Sequence, residues 1–92
     1  MKIKGKTTSN FEFEIDTDSL NDMEVVDALV DMMDASNEMK AMRSVKILLD
    51  KVLGVEQKQR LYDHVKIDGR APIDKINNEF VEILSFTKEG KN

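Results

Sequence analysis

From residue 2 to residue 16 polar and apolar positions alternate with a period of two, the mark of half-buried strands. Phe11, Phe13 and Ile15 fall on one face and Glu12, Glu14 and Asp16 on the other, while Lys2, Lys4 and Lys6 stand opposite Ile3 and Gly5. Opposite charges then fix the register. Pairing Lys6 with Glu12, Lys4 with Glu14 and Lys2 with Asp16 sets Ile3 beside Ile15 and leaves Thr8-Ser9-Asn10 as a three-residue loop, with Asn10 in its left-handed position. An isolated two-stranded hairpin is marginal in water, so the Phe face has to lie on helices.

After residue 16 the period changes to that of a helix. Residues 22–34 form the stretch around which the rest is expected to be built. Ala28, Met32, Val25, Leu29, Met33, Val26, Val30 and Met23 sweep an apolar arc of roughly 220° at ~100° per residue. Because a surface helix needs a stripe only ~100° wide, the arc predicts a central helix covered on two sides, with Leu29 in the core. Asn21 or Ser19 is the expected cap. Asp27, Asp31 and Asp34 repel one another at three- and four-residue spacing, which predicts a basic neighbour.

Ala35-Ser36-Asn37 breaks this helix, and Asn37 can cap a second over residues 37–53, with Gly54 as its stop. Met42, Val45, Leu49, Val52 and Leu53 form its inward stripe; Lys40, Arg43, Lys46 and Lys51 lie toward the other side, where they can meet the acids of the first helix along an antiparallel seam. A shorter helix follows over residues 56–66, carried by Leu61 and Val65. Asp68-Gly69-Arg70 turns the chain, and Pro72 opens a last helix over residues 72–86 whose apolar stripe is Ile73, Ile76, Phe80, Ile83 and Leu84. Residues 88–92 carry no apolar side chain and are expected to fray. The predicted fold is mainly α within an α+β class: an N-terminal two-stranded antiparallel hairpin packed on a bundle of about four helices, in one domain spanning residues 1–92.

Charge sharpens this picture. The net charge is −4, which argues against nucleic acid as the main partner. Every charged residue from Thr7 to Met39 is acidic, whereas basic residues outnumber acids from Lys40 onward, a split that suggests two faces meeting inside one fold. No run of about 20 apolar residues is present, so no membrane span is expected, and neither is a signal peptide. The absence of cysteine removes disulfides, thiolate metal sites and thiol nucleophiles.

Little in the chain suggests chemistry. The acids from Asp16 to Asp27 resemble a calcium loop only superficially: Asn21 stands where the loop needs Gly and Asp27 where it needs Glu. The single histidine, His64, has no second histidine in a ligand spacing, and no pair of acids is set apart from the solvated helix faces. No catalytic residue, cofactor or metal is therefore expected. The unusual enrichment is methionine, with Met23, Met32, Met33, Met39 and Met42 clustered around one helix junction. Methionine fills irregular cores and also lines adaptable surfaces that accept varied helices. Met32, Met39 and Ile47, at the edge of or outside the packing stripes, are the expected partner-binding residues.

The segment from Leu48 to Leu61, Leu-Leu-Asp-Lys-Val-Leu-Gly-Val-Glu-Gln-Lys-Gln-Arg-Leu, followed by Asp68-Gly69-Arg70 and an amphipathic helix, resembles the small tail assembly chaperones of long-tailed bacteriophages and prophages of Gram-positive bacteria. The likeness extends to the strand region Phe11 to Asp16 and the acidic helix after it. It implies a non-enzymatic protein of the host cytoplasm that coats the amphipathic helices of the tape measure protein before the tail tube polymerises, and that is absent from the finished virion. It also implies a longer, frameshifted form that recruits tail tube protein. Gly90-Lys91-Asn92 is compatible with a slippery codon run for such a shift. The alternative is a structural or regulatory phage protein, such as a head–tail or tail-terminator component.

Overall fold

The computed structural model describes residues 1–34 and 36–89. Strands β1 (Lys2–Lys6) and β2 (Glu12–Asp16) form an antiparallel hairpin, and a 3-10 turn (Thr17–Leu20) leads into α1 (Met23–Met32). Helix α2 (Glu38–Leu48) passes through a π turn (Leu49–Leu53) directly into α3 (Gly54–Val65), and α4 (Ile73–Glu89) follows. The expected four separate helices are thus three continuous helical runs among the described residues, 23–32, 38–65 and 73–89. No loop intervenes at Gly54. Its positive φ of 83° redirects the run, and the wider π turn gathers Leu48, Leu49, Val52 and Leu53 onto one buried side. No helix among the described residues is long and apolar enough to cross a membrane.

The hairpin has the expected register, with Lys2 opposite Asp16, Ile3 opposite Ile15, Lys4 opposite Glu14, Gly5 opposite Phe13 and Lys6 opposite Glu12; of its Lys–acid pairs among the described residues, Lys4–Glu14 closes to an ion pair at 3.6 Å. Asn10 takes a positive φ of 72°, as the three-residue loop requires. The cap of α1 differs from expectation. Asp22 accepts from the Glu24 N–H at 2.8 Å, because Ser19 instead donates its hydroxyl to the Asp16 carbonyl within the 3-10 turn. Asn37 caps α2 through the Lys40 N–H at 3.0 Å, and α4 begins one residue after Pro72 and runs to Glu89, past the expected end at 86. Of the expected frayed segment, residues 90–92 lie outside the described residues, as does the Gly90-Lys91-Asn92 reading.

The core sits on the hairpin, not on α1. Phe11, Phe13 and Ile15 are buried with Leu48, Leu49, Leu61, Phe80 and Ile83; β1 contacts α4 and β2 contacts the π turn. Phe13 meets Phe86 edge to face, with ring centroids 5.0 Å apart. From α1 only Val25 and Ala28 are buried, and Leu29 is half-buried. The expectation of a central α1 therefore fails: its apolar arc is wide, but α2 is its principal neighbour, so one side of the arc stays uncovered.

Polar side chains close what the short sheet leaves open. A two-stranded sheet has two unpaired edges. On β2 the amide of Gln57 acts as a substitute strand, accepting from the Glu14 N–H at 2.7 Å and donating to the Glu14 carbonyl at 2.6 Å. At the hairpin loop the buried carboxylate of Glu79 accepts from Thr7 Oγ1 at 2.8 Å and Ser9 Oγ at 2.9 Å, and Glu82 accepts from the Thr8 N–H at 2.7 Å. These bonds hold the loop on α4.

At Gly5 the hairpin packs tightly against α4. A Cβ there would lie 2.7 Å from Phe13 and 2.8 Å from Phe86, so both rings of the edge-to-face pair would have to move. Gly5→Ala is expected to destabilise the fold by about 1–3 kcal/mol through overpacking, measured as a lower denaturation midpoint. Unchanged stability would mean that the hairpin and α4 are not packed this closely.

Candidate functional site

Among the described residues two surfaces gather apolar side chains that reach solvent, apart from single exposed residues such as Val55, Ile67 and Val81. The first lies on α1. Its inner face holds Val25, Ala28 and the half-buried Met32. On the opposite side Met23, Val26, Val30 and Met33 are 69%, 40%, 63% and 78% exposed. Scattered exposed apolar residues are ordinary, but a continuous row marks an interaction surface.

Charges border this row. Lys51 reaches Asp22 at 3.1 Å and Glu24 at 2.9 Å, and Lys40 reaches Asp31 at 3.4 Å. Lys40 and Lys51 of the second helical run thus meet acids of α1 and its cap along the seam, as their sequence order suggests, whereas Arg43 and Lys46 make no ion pair among the described residues. Hydrogen bonds from the Lys51 ammonium, and then from the Glu24 N–H, hold the Asp22 carboxyl below its ordinary value. Glu24 and then Asp22 raise the Lys51 ammonium above its own. Among the described residues no cation lies within 4.0 Å of Asp27 or Asp34; Asp34 instead accepts from the Ser36 N–H and hydroxyl.

The second surface is a groove of about 290 Å³ between α2, the π turn, α3 and the start of α4, walled by Met42, Val45, Leu49, Tyr62, Ala71, Ile73 and Ile76, with Lys46 and Asn77 as its polar members. The turn before α4 shapes one wall. Asp68 and Gly69 both have positive φ, 53° and 79°, and the Ile67 and Arg70 backbones bond across the turn at 2.8 and 3.1 Å, as in a tight two-residue reversal. The reversal delivers Ala71 and Ile73 to the groove. Met42 and Ile73 are both partly exposed at its mouth.

The three residues expected to bind a partner are not brought together on one face. Met32 is half-buried against the core. Met39 and Ile47 are exposed, but eight positions on α2 set them about 80° apart. None of the three lines the groove, whose methionine is Met42. The exposed row on α1 was legible only as part of a wide arc taken to be buried, and the groove depends on Ala71 and Tyr62, which no periodicity marks.

His64 joins a polar cluster with Ser9 and Glu79. Its Nε2 lies 3.0 Å from the Ser9 carbonyl oxygen; a carbonyl can only accept, so Nε2 carries the proton. That nitrogen is also 3.1 Å from Ser9 Oγ, yet a protonated Nε2 cannot take the hydroxyl proton, which points to Glu79. The cluster fastens the hairpin loop to α3 and α4. Among the described residues no group of three or more His, Cys, Asp and Glu is placed to hold a metal ion.

Compared with protein families, with curated proteins and with solved structures, the chain finds no match.

The seam generates a pH dependence. Because Asp22 has a lowered value in the folded protein, its contribution is fully present above the ordinary 3.8 and is lost as pH falls through the lowered folded value. Asp22→Asn keeps a good helix cap but removes the charge. The stability advantage of the native protein over this variant, from denaturation midpoints across pH, is expected to shrink steadily below pH 3.8. A difference independent of pH would show that the Lys51 contact does not stabilise the fold.

Proposed function

We propose that this chain is a small, non-catalytic tail assembly chaperone of a long-tailed phage or prophage, which holds amphipathic helices of the tape measure protein in the host cytoplasm until the tail tube forms around them. The observation that carries this reading is the apolar groove between α2, α3 and α4. An amphipathic helix laid into a hydrophobic groove is a recurrent mode of recognition. Methionine at its mouth suits a series of differing helices, since the unbranched thioether adapts its shape to each.

The resemblance in the sequence bears on the same region. Residues 48–61 make up the π turn and much of α3, and Asp68-Gly69-Arg70 form the reversal that carries Ala71 and Ile73 to the groove. Of the groove's lining residues Leu49 comes from this segment, and Ile73, Ile76 and Asn77 come from the amphipathic helix that follows it.

Co-expression with a tape measure segment provides the test. The native chain is expected to co-purify with the segment, and the double variant Met42→Ser/Ile73→Ser, altered only at partly exposed positions, is expected to retain at least about tenfold less, because each lost apolar contact is worth ~1.5 kcal/mol or more. Failure of the native chain to retain any tape measure segment, or full retention by a folded double variant, would contradict the proposal.

A further inference from the structure

We propose that the exposed row on α1 is a short coiled-coil seam that docks a helix whose apolar stripe is bordered by Lys or Arg. Met23, Val26, Val30 and Met33 are spaced three, four and three residues apart, which is the a, d, a, d pattern of a heptad. In this frame Asp27 occupies an e position, which flanks a coiled-coil seam and selects the partner by charge, and Asp34 follows just beyond the end of α1 and its cap Met33. The inner positions of α1, Val25 and Ala28, are already buried, so the heptad seam is separate from the face that packs on α2.

Charge identifies the occupant. Asp22, Glu24 and Asp31 are matched within the chain by Lys51 and Lys40. Asp27, beside the seam, has no such cation among the described residues, and Asp34, at the seam's end, makes no ion pair within 4.0 Å but is held by Ser36 and feels the Lys40 charge. A second copy of α1 is a poor partner, because antiparallel pairing would set Asp27 of one copy against Asp34 of the other, and like charges across a seam are destabilising. A basic amphipathic helix satisfies both the apolar row and the two carboxylates. This surface lies apart from the groove; the inference rests on the proposed function only for the partner being a helix.

The test uses two designed helical peptides of three heptads, both with Leu at a and d, one with Lys and one with Glu at e and g, and reads binding by fluorescence anisotropy. The Lys peptide is expected to bind the full chain at least about tenfold more tightly than the Glu peptide, a difference of ~1.4 kcal/mol. Val30→Ser/Met33→Ser should weaken the Lys peptide by a similar factor, and Asp27→Asn/Asp34→Asn should remove both the preference and its salt dependence. All four positions are at the surface or at its margin, and circular dichroism verifies that each variant is folded. Equal binding of the two peptides would overturn the inference, and so would undiminished binding by Val30→Ser/Met33→Ser. A concentration-dependent dimer that this variant abolishes would assign the seam to a second copy instead. Loss of the Lys peptide in Met42→Ser/Ile73→Ser but not in the α1 variants would place it in the groove, sinking this inference while leaving the groove proposal intact. Binding of the Lys peptide to α1 with no capture of a tape measure segment would do the reverse.

Discussion

The fold depends on covering one side of a hairpin that could not persist alone. Two strands of five residues gain too little from their own pairing to stay formed in water, so Phe11, Phe13 and Ile15 have to be buried by something else. The π turn and the helices α3 and α4 supply that cover. Gln57 satisfies the outer edge of β2, and Glu79 and Glu82 fasten the loop. Most of the chain's covering capacity is spent there. Helix α1 is left with one principal neighbour, α2, and its outer row remains in solvent. The exposed seam is in this sense a consequence of where the core had to form.

Local rules made much of this legible before any coordinates. Alternating charge fixed the strand register because a one-residue slip would turn Phe11 and Phe13 into water. Asn10, Asn37 and Asp68-Gly69 were readable because backbone geometry at turns and caps accepts few residue types. Pairing of Lys40 and Lys51 with the acids of α1 followed from helix order alone. What stayed hidden is the number of neighbours each helix obtains. The pattern in residues 22–34 reports how much apolar surface α1 carries, but whether a second element covers it depends on where α3 and α4 settle. For that reason Val26 and Val30 stay exposed, and Leu29 packs on the core only half-buried. Met32, Met39 and Ile47 stand out in the sequence only as apolar residues at the edge of or outside the packing stripes, which does not specify a shared face, and the structure sets Met32 at the core margin and Met39 and Ile47 exposed on α2.

The π turn ties the fold to the proposed function. By turning four apolar residues of 48–53 inward without a break in the helical run, it joins α2 to α3 while Gly54 redirects the chain between them. Beside Val45 and Leu49 a space remains that Tyr62, Ala71, Ile73 and Ile76 line without filling. Close packing is the rule in protein interiors, so an apolar space of this size at the surface is better suited to an incoming side chain than to stability.

The central claim is that these apolar surfaces exist to be covered by a helix from another protein. Methyl NMR of the six methionines tests it most directly, because they sample the core margin, the groove and the α1 seam. On addition of a tape measure segment, the Met42 methyl in the groove is expected to shift and to become protected from a soluble paramagnetic probe, while Met32, already packed against the core, changes least. No change at Met42, Met23 or Met33 with the segment in saturating excess would contradict the account.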